Sequence, residues 1–351
     1  MFSEKKVNLI RINKVAIVIP AYNVDLYITD CLNSLSHQTF SNFVALIIDD
    51  GSTDKTGTIA DEFSKKDSRF KAYHKSNSGV ASARNFALDK IELIESISAV
   101  FFLDSDDILH PECLHKAVMA FDNTQADCVI FGYRVFDKRG FDKTSCYTPL
   151  KKDLSSTETI FDHFLNCSKM QNQTQLWFLL NKAFRSSCIK GVRFNEKMKR
   201  GEDVRFFMDL RSKIKSAIII PDILLDYRLR KSSLSHSNIN LLYDLDLYSE
   251  LLIYHSDEFT PPQLSVLHDT MLNVWRKCLI YVFGQDPTSD NITFLRGITR
   301  NLSKRNLITG LKNRKRVLYL SFGDLFMRLW SINQYRKYSK KNQLHQTEYF
   351  E

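Results

Sequence analysis

A chain of 351 residues, 44% hydrophobic and 25% charged, has the composition of a globular protein and can hold one large domain or two ordinary ones. No run approaches the ~18 consecutive apolar residues of a membrane span, and seven cysteines without a CxxC pair argue against both a disulfide frame and a zinc site. The net charge of +9 gathers in residues 301–351, so the main body is nearly neutral and a nucleic-acid partner is not expected. The opening MFSEKKVNLIRINK puts charges where a signal peptide needs an apolar stretch, which predicts a cytoplasmic protein.

In chain order, VAIVIP (Val15–Pro20), FVALIID (Phe43–Asp49), FKAYH (Phe70–His74), AVFFLD (Ala99–Asp104) and DCVIFGY (Asp127–Tyr133) are short, apolar and bounded by polar clusters. They read as buried strands. Helical periods lie between them: Leu26, Ile28, Cys31, Leu32 and Leu35 share a face, Thr56–Lys66 follows Asp54 as an N-cap, a third helix runs from about Val80 to Ile94, and a fourth follows Pro111. Alternation of this kind predicts an α/β fold with a mainly parallel, helix-flanked sheet. Ligands of such sheets bind at the carboxyl ends of the strands. Those ends carry PAYN, DDGSTD and DSDD.

Beyond Tyr133 the pattern changes. RVFDKRGFDKTSCY predicts a hairpin turning at Lys138–Gly140. MKRGEDVRFFMDLRS predicts a helix opening on Glu202 and Asp203, and SAIIIPDILLDYRLRKSSLS predicts strands and a polar loop. From about Asn238 the helical period dominates, which sets a domain boundary near Ser237 and two regions, 1–237 and 238–351. In the second, KNRKRVLYLSFGDLFMRLW sets Leu318, Phe322, Leu325, Phe326 and Leu329 at helical spacing among basic residues. This tail is compatible with an anionic membrane surface.

An Asp-x-Asp at a strand end, Asp104–Ser105–Asp106, offers two hard oxygen ligands of the kind Mg²⁺ or Mn²⁺ takes when substrate phosphates fill its other positions. An EF-hand is excluded, because counting from Asp104 puts Leu109 where that loop needs Gly and His115 where it needs Glu. There is no GxSxG, HExxH, Walker A loop or GxGxxG.

VAIVIPAYN, ALIIDDGSTD, NSGVASARN, FFLDSDD and RGEDVRF, followed by YRLRKSSLS, occur in this order across residues 12–236. The set resembles the inverting glycosyltransferases of family 2, which have the GT-A fold and serve bacterial capsule, exopolysaccharide and O-antigen assembly. The resemblance implies a metal-dependent transfer of one sugar from a nucleotide-sugar, UDP-linked in many members, to a saccharide acceptor that is often lipid-linked. It implies that Pro20 and Tyr22 of PAYN, Asp50, Arg84, Asp104 and Arg230 bind the donor. Asp106, with Asp104, would hold Mn²⁺ or Mg²⁺, and Asp203 beside Glu202 would be the catalytic base. The competing reading is a subunit of the same fold that binds nucleotide-sugar or glycan without turnover. Intact Asp106 and Asp203 speak against it.

Overall fold

The computed structural model describes residues 11–137, 140–147, 152–156, 159–160, 179–198, 201–230, 240–254, 256–284 and 295. The chain divides into two compact units, Met1–Lys231 and Ser232–Glu351. The boundary expected near Ser237 falls among residues 231–239, outside the described residues, as does the basic tail.

Among the described residues, the first unit is built on a ten-stranded sheet. Its strands are β1 (Lys14–Ala21), β2 (Phe43–Asp49), β3 (Phe70–His74), β4 (Ile97–Phe102), β5 (Ile108–Leu109), β6 (Cys128–Asp137), β7 (Gly140–Tyr147), β8 (Lys152–Leu154), β9 (Lys182–Arg185) and β10 (Ala217–Arg228). Their order is β3-β2-β1-β4-β9-β6-β10-β5, with β7 on β6 and β8 on β10. In β1 only Lys14 is not fully buried, and all of FVALIID in β2 is buried. Such continuous branched apolar runs are what a strand covered on both faces requires.

Among the described residues the helices of this unit are α1 (Ile28–Ser36), α2 (Thr56–Lys66), α3 (Val80–Glu92), α4 (Cys113–Thr124), α5 (Ser186–Ile189) and α6 (Glu202–Asp209). Each main helix turns an apolar stripe to the sheet: Ile28, Cys31, Leu32 and Leu35 on α1, and Cys113, Leu114, Ala117 and Phe121 on α4, at three- and four-residue spacing. On α3 the buried stripe includes Ala81, Ala83, Ala87, Leu88 and Ile91, and it also carries Arg84 and Asn85 inward.

The long strands keep the mainly parallel arrangement expected of them, with short strands added in the opposite direction. β3, β2, β1 and β4 run parallel, as do β6 and β10, but β9 enters between β4 and β6 antiparallel to both. The reason is a short return strand, KAFR, whose four residues carry two cations and no period long enough to read. Both cations are nevertheless buried: Arg185 Nε donates to the Ala126 carbonyl at 2.8 Å, and Lys182 Nζ to Asn181 Oδ1 at 2.7 Å. β6 and β7 pair antiparallel with Asp137 opposite Gly140, the hairpin that the sequence predicts.

Three phenylalanines join β4 to α6 and the segment ahead of it. Phe194 and Phe206 stack face to face at 4.0 Å, and Phe102 meets each of them edge-on at 5.5 Å. Aromatic contacts of this geometry add ~1 kcal/mol each beyond burial. They fix the first turn of α6, with Glu202 and Asp203, beside the end of β4.

The second unit contains α7 (Asn240–Tyr254) and α8 (Pro261–Gly284) among its described residues. Leu245, Leu251 and Leu252 of α7 and Leu267, Met271 and Trp275 of α8 are buried. No described helix is long and apolar enough to cross a membrane.

Candidate active site

The loops that leave the carboxyl ends of β1, β2, β3 and β4 gather polar side chains, and backbone hydrogen bonds pin them to one another. Asn23, in the left-handed region at φ 49°, receives the Thr53 N–H on its Oδ1 at 2.8 Å and donates its own N–H to Ser52 Oγ at 3.0 Å. Asp54 accepts from Thr56 N at 2.9 Å and from Asp25 N at 3.1 Å. It therefore serves the start of α2 and also clamps the β1–α1 loop. Burial would raise its carboxyl, but the bonds from Thr56 and Asp25 together hold it below the ordinary carboxylate range.

Asp50 is buried and heavily engaged within the protein. Lys75 Nζ reaches its Oδ1 at 2.6 Å, and the N–H groups of Ser78 and Gly79, at the start of α3, donate to it at 3.1 Å and 2.7 Å. Gly51 next to it takes φ +75°, and a Cβ there would lie 2.8 Å from Asn77 N. A side chain at Gly51 would thus force the β2–α2 and β3–α3 loops apart. Pro20 is buried within β1, whereas the Tyr22 ring is 48% exposed at the rim of the crevice.

The three carboxylates of DSDD follow β4 in a turn in which Asp107 N bonds to the Asp104 carbonyl at 3.1 Å. Each meets a different arginine. Asp104 Oδ1 accepts from Arg84 Nη2 at 3.1 Å. Asp106 Oδ2 lies 2.5 Å from Arg230 Nε, an ion pair whose angle does not make a hydrogen bond. Asp107 Oδ1 accepts the backbone N–H of Arg228 at 2.8 Å, while its Oδ2 is buried without a partner. Burial, then the Asp104 charge, pushes Asp106 up to about 6. Burial and the Asp106 charge hold Asp107 well above the carboxylate range.

Two of these arginines arrive from the end of β10. Arg228 is held at several points: its Nε donates to the Asp106 carbonyl at 2.8 Å, its Nη2 to Asp30 Oδ2 at 2.8 Å, and its Cζ lies 4.5 Å from the Phe136 ring centre. Tyr27 lies under both Arg228 and Arg230, 5.2 Å from each.

Across the crevice, Gly201 in the left-handed region starts α6, and Glu202 and Asp203 form its first turn, where the helix dipole favours anions. Arg84 forks between the two halves: Nη1 donates to Glu202 Oε1 at 2.8 Å while Nη2 holds Asp104. Burial would lower the Arg84 pKa, but Asp104, Glu202 and Asp203 together raise it, so it is a permanent cation. The Asp203 carboxylate accepts the Val204 N–H at 2.8 Å. Burial and then the Glu202 charge push Asp203 up to about 7.

The structure therefore brings Arg84, Asp104, Asp106, Arg230, Glu202 and Asp203 around one crevice, with Tyr22 at its rim and Asp50 fastened to the neighbouring loops. The rest of the YRLRKSSLS loop, beyond Arg230, lies outside the described residues. Sequence reading missed Lys75, Tyr27 and Asp30. Lys75 stands at the end of β3 in HKSNSG, a strand-end polar cluster of the kind that singled out the others. Nothing local marks Tyr27 and Asp30, whose arginine partners lie some 200 residues further along the chain.

Among the described residues no group of three or more His, Cys, Asp or Glu is placed to hold a metal ion. The donor set still fits a hard divalent cation bound in the sparse manner, with one or two carboxylates from the protein and oxygens from substrate phosphate. Asp106 is strained as an anion beside Asp104, and a divalent charge relieves that strain.

A mixed α/β sheet of this order, with acidic loops at the carboxyl ends of its parallel strands, defines the GT-A class of fold. Glycosyl transferase family 2 matches residues 16–195, just over half of the chain, and the protein belongs to that family. It is 30% identical to the glycosyltransferase GlyA of Streptococcus pneumoniae over 231 residues, which are 64% of this chain and 32% of GlyA. It is 28% identical over 223 residues to the minor teichoic acid biosynthesis protein GgaB of Bacillus subtilis, taking in 63% of this chain and 23% of GgaB. The chain thus spans a third or less of these two relatives. In structure it superposes on residues 1–349 of TarS from S. aureus with a TM-score of 0.63 at 20% identity, covering 94% of this chain and 92% of that one, and TarS has also been determined with UDP-GlcNAc. The mannosyltransferase PcManGT of Pyrobaculum calidifontis, in complex with GDP-Man and Mn²⁺, superposes with a TM-score of 0.51 at 14% identity over 95% of this chain and 88% of that one.

Proposed function

We propose that the chain transfers a single sugar, hexose or N-acetylhexosamine, from a UDP-linked donor to a saccharide hydroxyl with inversion of the anomeric centre. The observation that carries this reading is the Arg84 fork, which ties the DSDD loop and the Glu202–Asp203 pair into one crevice. A donor-holding group and a base are what a single displacement needs, on opposite sides of the reacting carbon. The UDP-GlcNAc complex of TarS supports the choice of nucleotide.

In this reading Asp203 takes the proton of the acceptor hydroxyl as the hydroxyl oxygen bonds to the anomeric carbon and the bond to the nucleoside diphosphate breaks. A carboxylate raised to about 7 is a stronger base than an ordinary aspartate and is still ionised in a useful fraction near neutrality. Glu202 holds Arg84 and raises Asp203 by its charge. Tyr22 offers an exposed ring to the base of the nucleotide. Asp106, with Asp104, would hold Mn²⁺ or Mg²⁺, which when bound offsets the charge developing on the departing diphosphate. Arg230 contributes a second positive charge at the same place. Asp50 acts through the loops it fastens and leaves its remaining lone pair to the donor.

The acceptor is proposed to be lipid-linked, as in surface-polysaccharide assembly, with the basic segment from Lys312 meeting an anionic membrane surface on the cytoplasmic side; the sequence of that segment is the support. Calorimetric titration of UDP in Mn²⁺ and in EDTA tests the donor site. Metal-dependent binding, followed by slow hydrolysis of one UDP-sugar, is the expected result. Binding of neither UDP nor GDP, CMP or dTDP in Mn²⁺ would refute it.

A further inference from the structure

We propose that Asn85 is a positioning residue for the base: a buried side-chain amide that clamps the backbone at Phe194 and thereby sets where the first turn of α6 stands. This assignment rests on the reading of Asp203 as base and needs no contact between Asn85 and donor, acceptor or Asp203.

Asn85 lies on α3 and is buried, and its amide pairs with the backbone of one residue 109 positions further along the chain. The Phe194 N–H donates to Asn85 Oδ1 at 2.7 Å, and Asn85 Nδ2 donates to the Phe194 carbonyl at 3.0 Å. Nδ2 also donates to Glu196 Oε1 at 2.8 Å, so both amide hydrogens are used. A side-chain amide presents a donor beside an acceptor, as the backbone of a neighbouring strand does. The pair therefore fixes the direction of the chain at Phe194 as well as its place. Asn is a poorer helix former than Ala, so what the residue contributes lies in these three bonds and not in α3 itself.

The clamped segment bears directly on α6. The Phe194 ring stacks on Phe206 at 4.0 Å and 3°, and it meets Phe102 of β4 edge-on at 5.5 Å. Phe206 stands one helical turn from Asp203. Arg84, which holds Glu202, has its Cζ 5.3 Å from the same ring. After Phe194 the chain turns, with Met198 N bonded to the Asn195 carbonyl and Lys197 N to Asn195 Oδ1, each at 3.1 Å. The exposed Glu196 is fastened within this turn by Asn85. One amide thus governs both the ring against which α6 packs and the turn ahead of it.

The clamp needs a donor and an acceptor side by side. Alanine supplies neither. A carboxylate supplies acceptors alone and would face the Phe194 carbonyl and Glu196, whereas a protonated carboxyl restores the donor.

Asn85→Ala, Asn85→Asp, Asp203→Asn and the Asn85→Ala/Asp203→Asn double in the full chain test the proposal. UDP is the binding probe and hydrolysis of UDP-N-acetylglucosamine the rate probe, both in Mn²⁺. In Asn85→Ala, kcat should fall on the order of 100-fold, the cost of displacing a reacting group by about 1 Å, while UDP affinity stays within about threefold of wild type. A merely structural residue would lower the urea midpoint and leave kcat in place, and that result overturns the proposal. So does a loss of UDP affinity as large as the loss of kcat, the mark of a crevice loosened throughout. The stability of Asn85→Asp relative to Asn85→Ala should rise as pH falls from 8 to 5, because the proton restores the donor; a pH-independent difference overturns the clamp. Urea unfolding at pH 8 decides without any donor. Asp203→Asn should stabilise the Asn85→Ala background less than the wild type, since a loosened first turn buries Asp203 less; equal gains overturn the positioning. If Asn85→Ala does not fold, Asn85→Asp carries the same measurements. If Asp203→Asn turns over like the wild type, the base reading fails, and the urea cycle still judges whether Asn85 sets α6.

Discussion

Replacing Asp203 by Asn removes the proposed base while keeping the shape and the hydrogen bond to Val204 N. Loss of a general base costs typically ~10²–10⁴-fold in rate, and donor binding, which rests on other side chains, should hold. The pH dependence is the sharper test. The wild-type carboxyl sits at about 7 instead of 3.8, so its ionised fraction, and with it kcat, should fall about tenfold per pH unit below its midpoint. A divalent cation beside Asp104 cancels part of the repulsion that raises Asp203, so the loaded enzyme should show its midpoint at or below about 7 and above the ordinary carboxylate range. The assay is UDP release from a UDP-sugar between pH 5 and 9 in Mn²⁺. A wild-type rate flat over that range, or an Asn variant that keeps both rate and pH dependence, would refute the reasoning. Stability runs the other way. A carboxyl raised on folding binds its proton more tightly in the native state, so its contribution is greatest below the unfolded pKa and is lost as pH rises through about 7. At ~1.4 kcal/mol per pH unit, Asp203→Asn should therefore make the ligand-free protein more stable at pH 8, by at most ~4 kcal/mol.

Asp106→Ala should abolish the difference between UDP binding in Mn²⁺ and in EDTA, read by calorimetry; an undiminished metal effect would remove Asp106 from the site. Gly57→Ala should destabilise by ~1–3 kcal/mol, because the new Cβ would lie 2.7 Å from Asp49 Oδ2, an oxygen already fixed by His74. Without that clash, Gly to Ala inside a helix stabilises by ~1 kcal/mol, so the sign in urea unfolding is decisive. His74 is held between Asp49 at 2.9 Å and Asp61 at 3.0 Å, which raise its pKa in that order against burial. A His raised on folding stabilises fully below its unfolded pKa of ~6.5 and loses that contribution as pH rises through the higher folded value. The urea midpoint of His74→Gln should accordingly lie below the wild type at pH 6 and approach it by pH 9; a constant gap would show that packing, not charge, is at work.

The half of the fold that was legible in the sequence is the half built from long, uniform signals. β1, β2 and β4 are largely buried runs closed by polar loops, and α1, α3 and α4 have apolar stripes, so both periodicities stand out in sequence; β3, expected to be buried, is an edge strand in which only Phe70 is buried. β5 and β9 are only two and four residues long, too short for any period, and β9 hides two cations whose partners are known only after folding. They add antiparallel pairings to a sheet that was expected to be mainly parallel. The DSDD and GED segments were legible because acidic residues at a strand end and at a helix start have few other reasons to gather there. What they touch was not legible. Arg84 lies 20 residues from Asp104 and 118 from Glu202, and nothing about SARN announces a guanidinium aimed inward between them.

The same contacts explain how three carboxylates can stand within four residues. Their neutralisers come from elsewhere in the chain and differ in how firmly they are held. Arg84 is fixed by two carboxylates and an aromatic ring, and Arg228 by Asp30, the Asp106 carbonyl, its own N–H to Asp107, and two rings. Arg230 has the Asp106 ion pair and the face of Tyr27, and no hydrogen bond from its buried Nε. If Asp106 held a divalent cation, the charge it gave up would be the one with fewest other anchors, because only those contacts oppose its departure. Arg230 meets that condition, and the two better-anchored arginines keep Asp104 and Asp107 in place while the exchange occurs. On the proposed reading the site is thus preformed at two of its carboxylates and exchangeable at the third, Asp106, which would hold the cation.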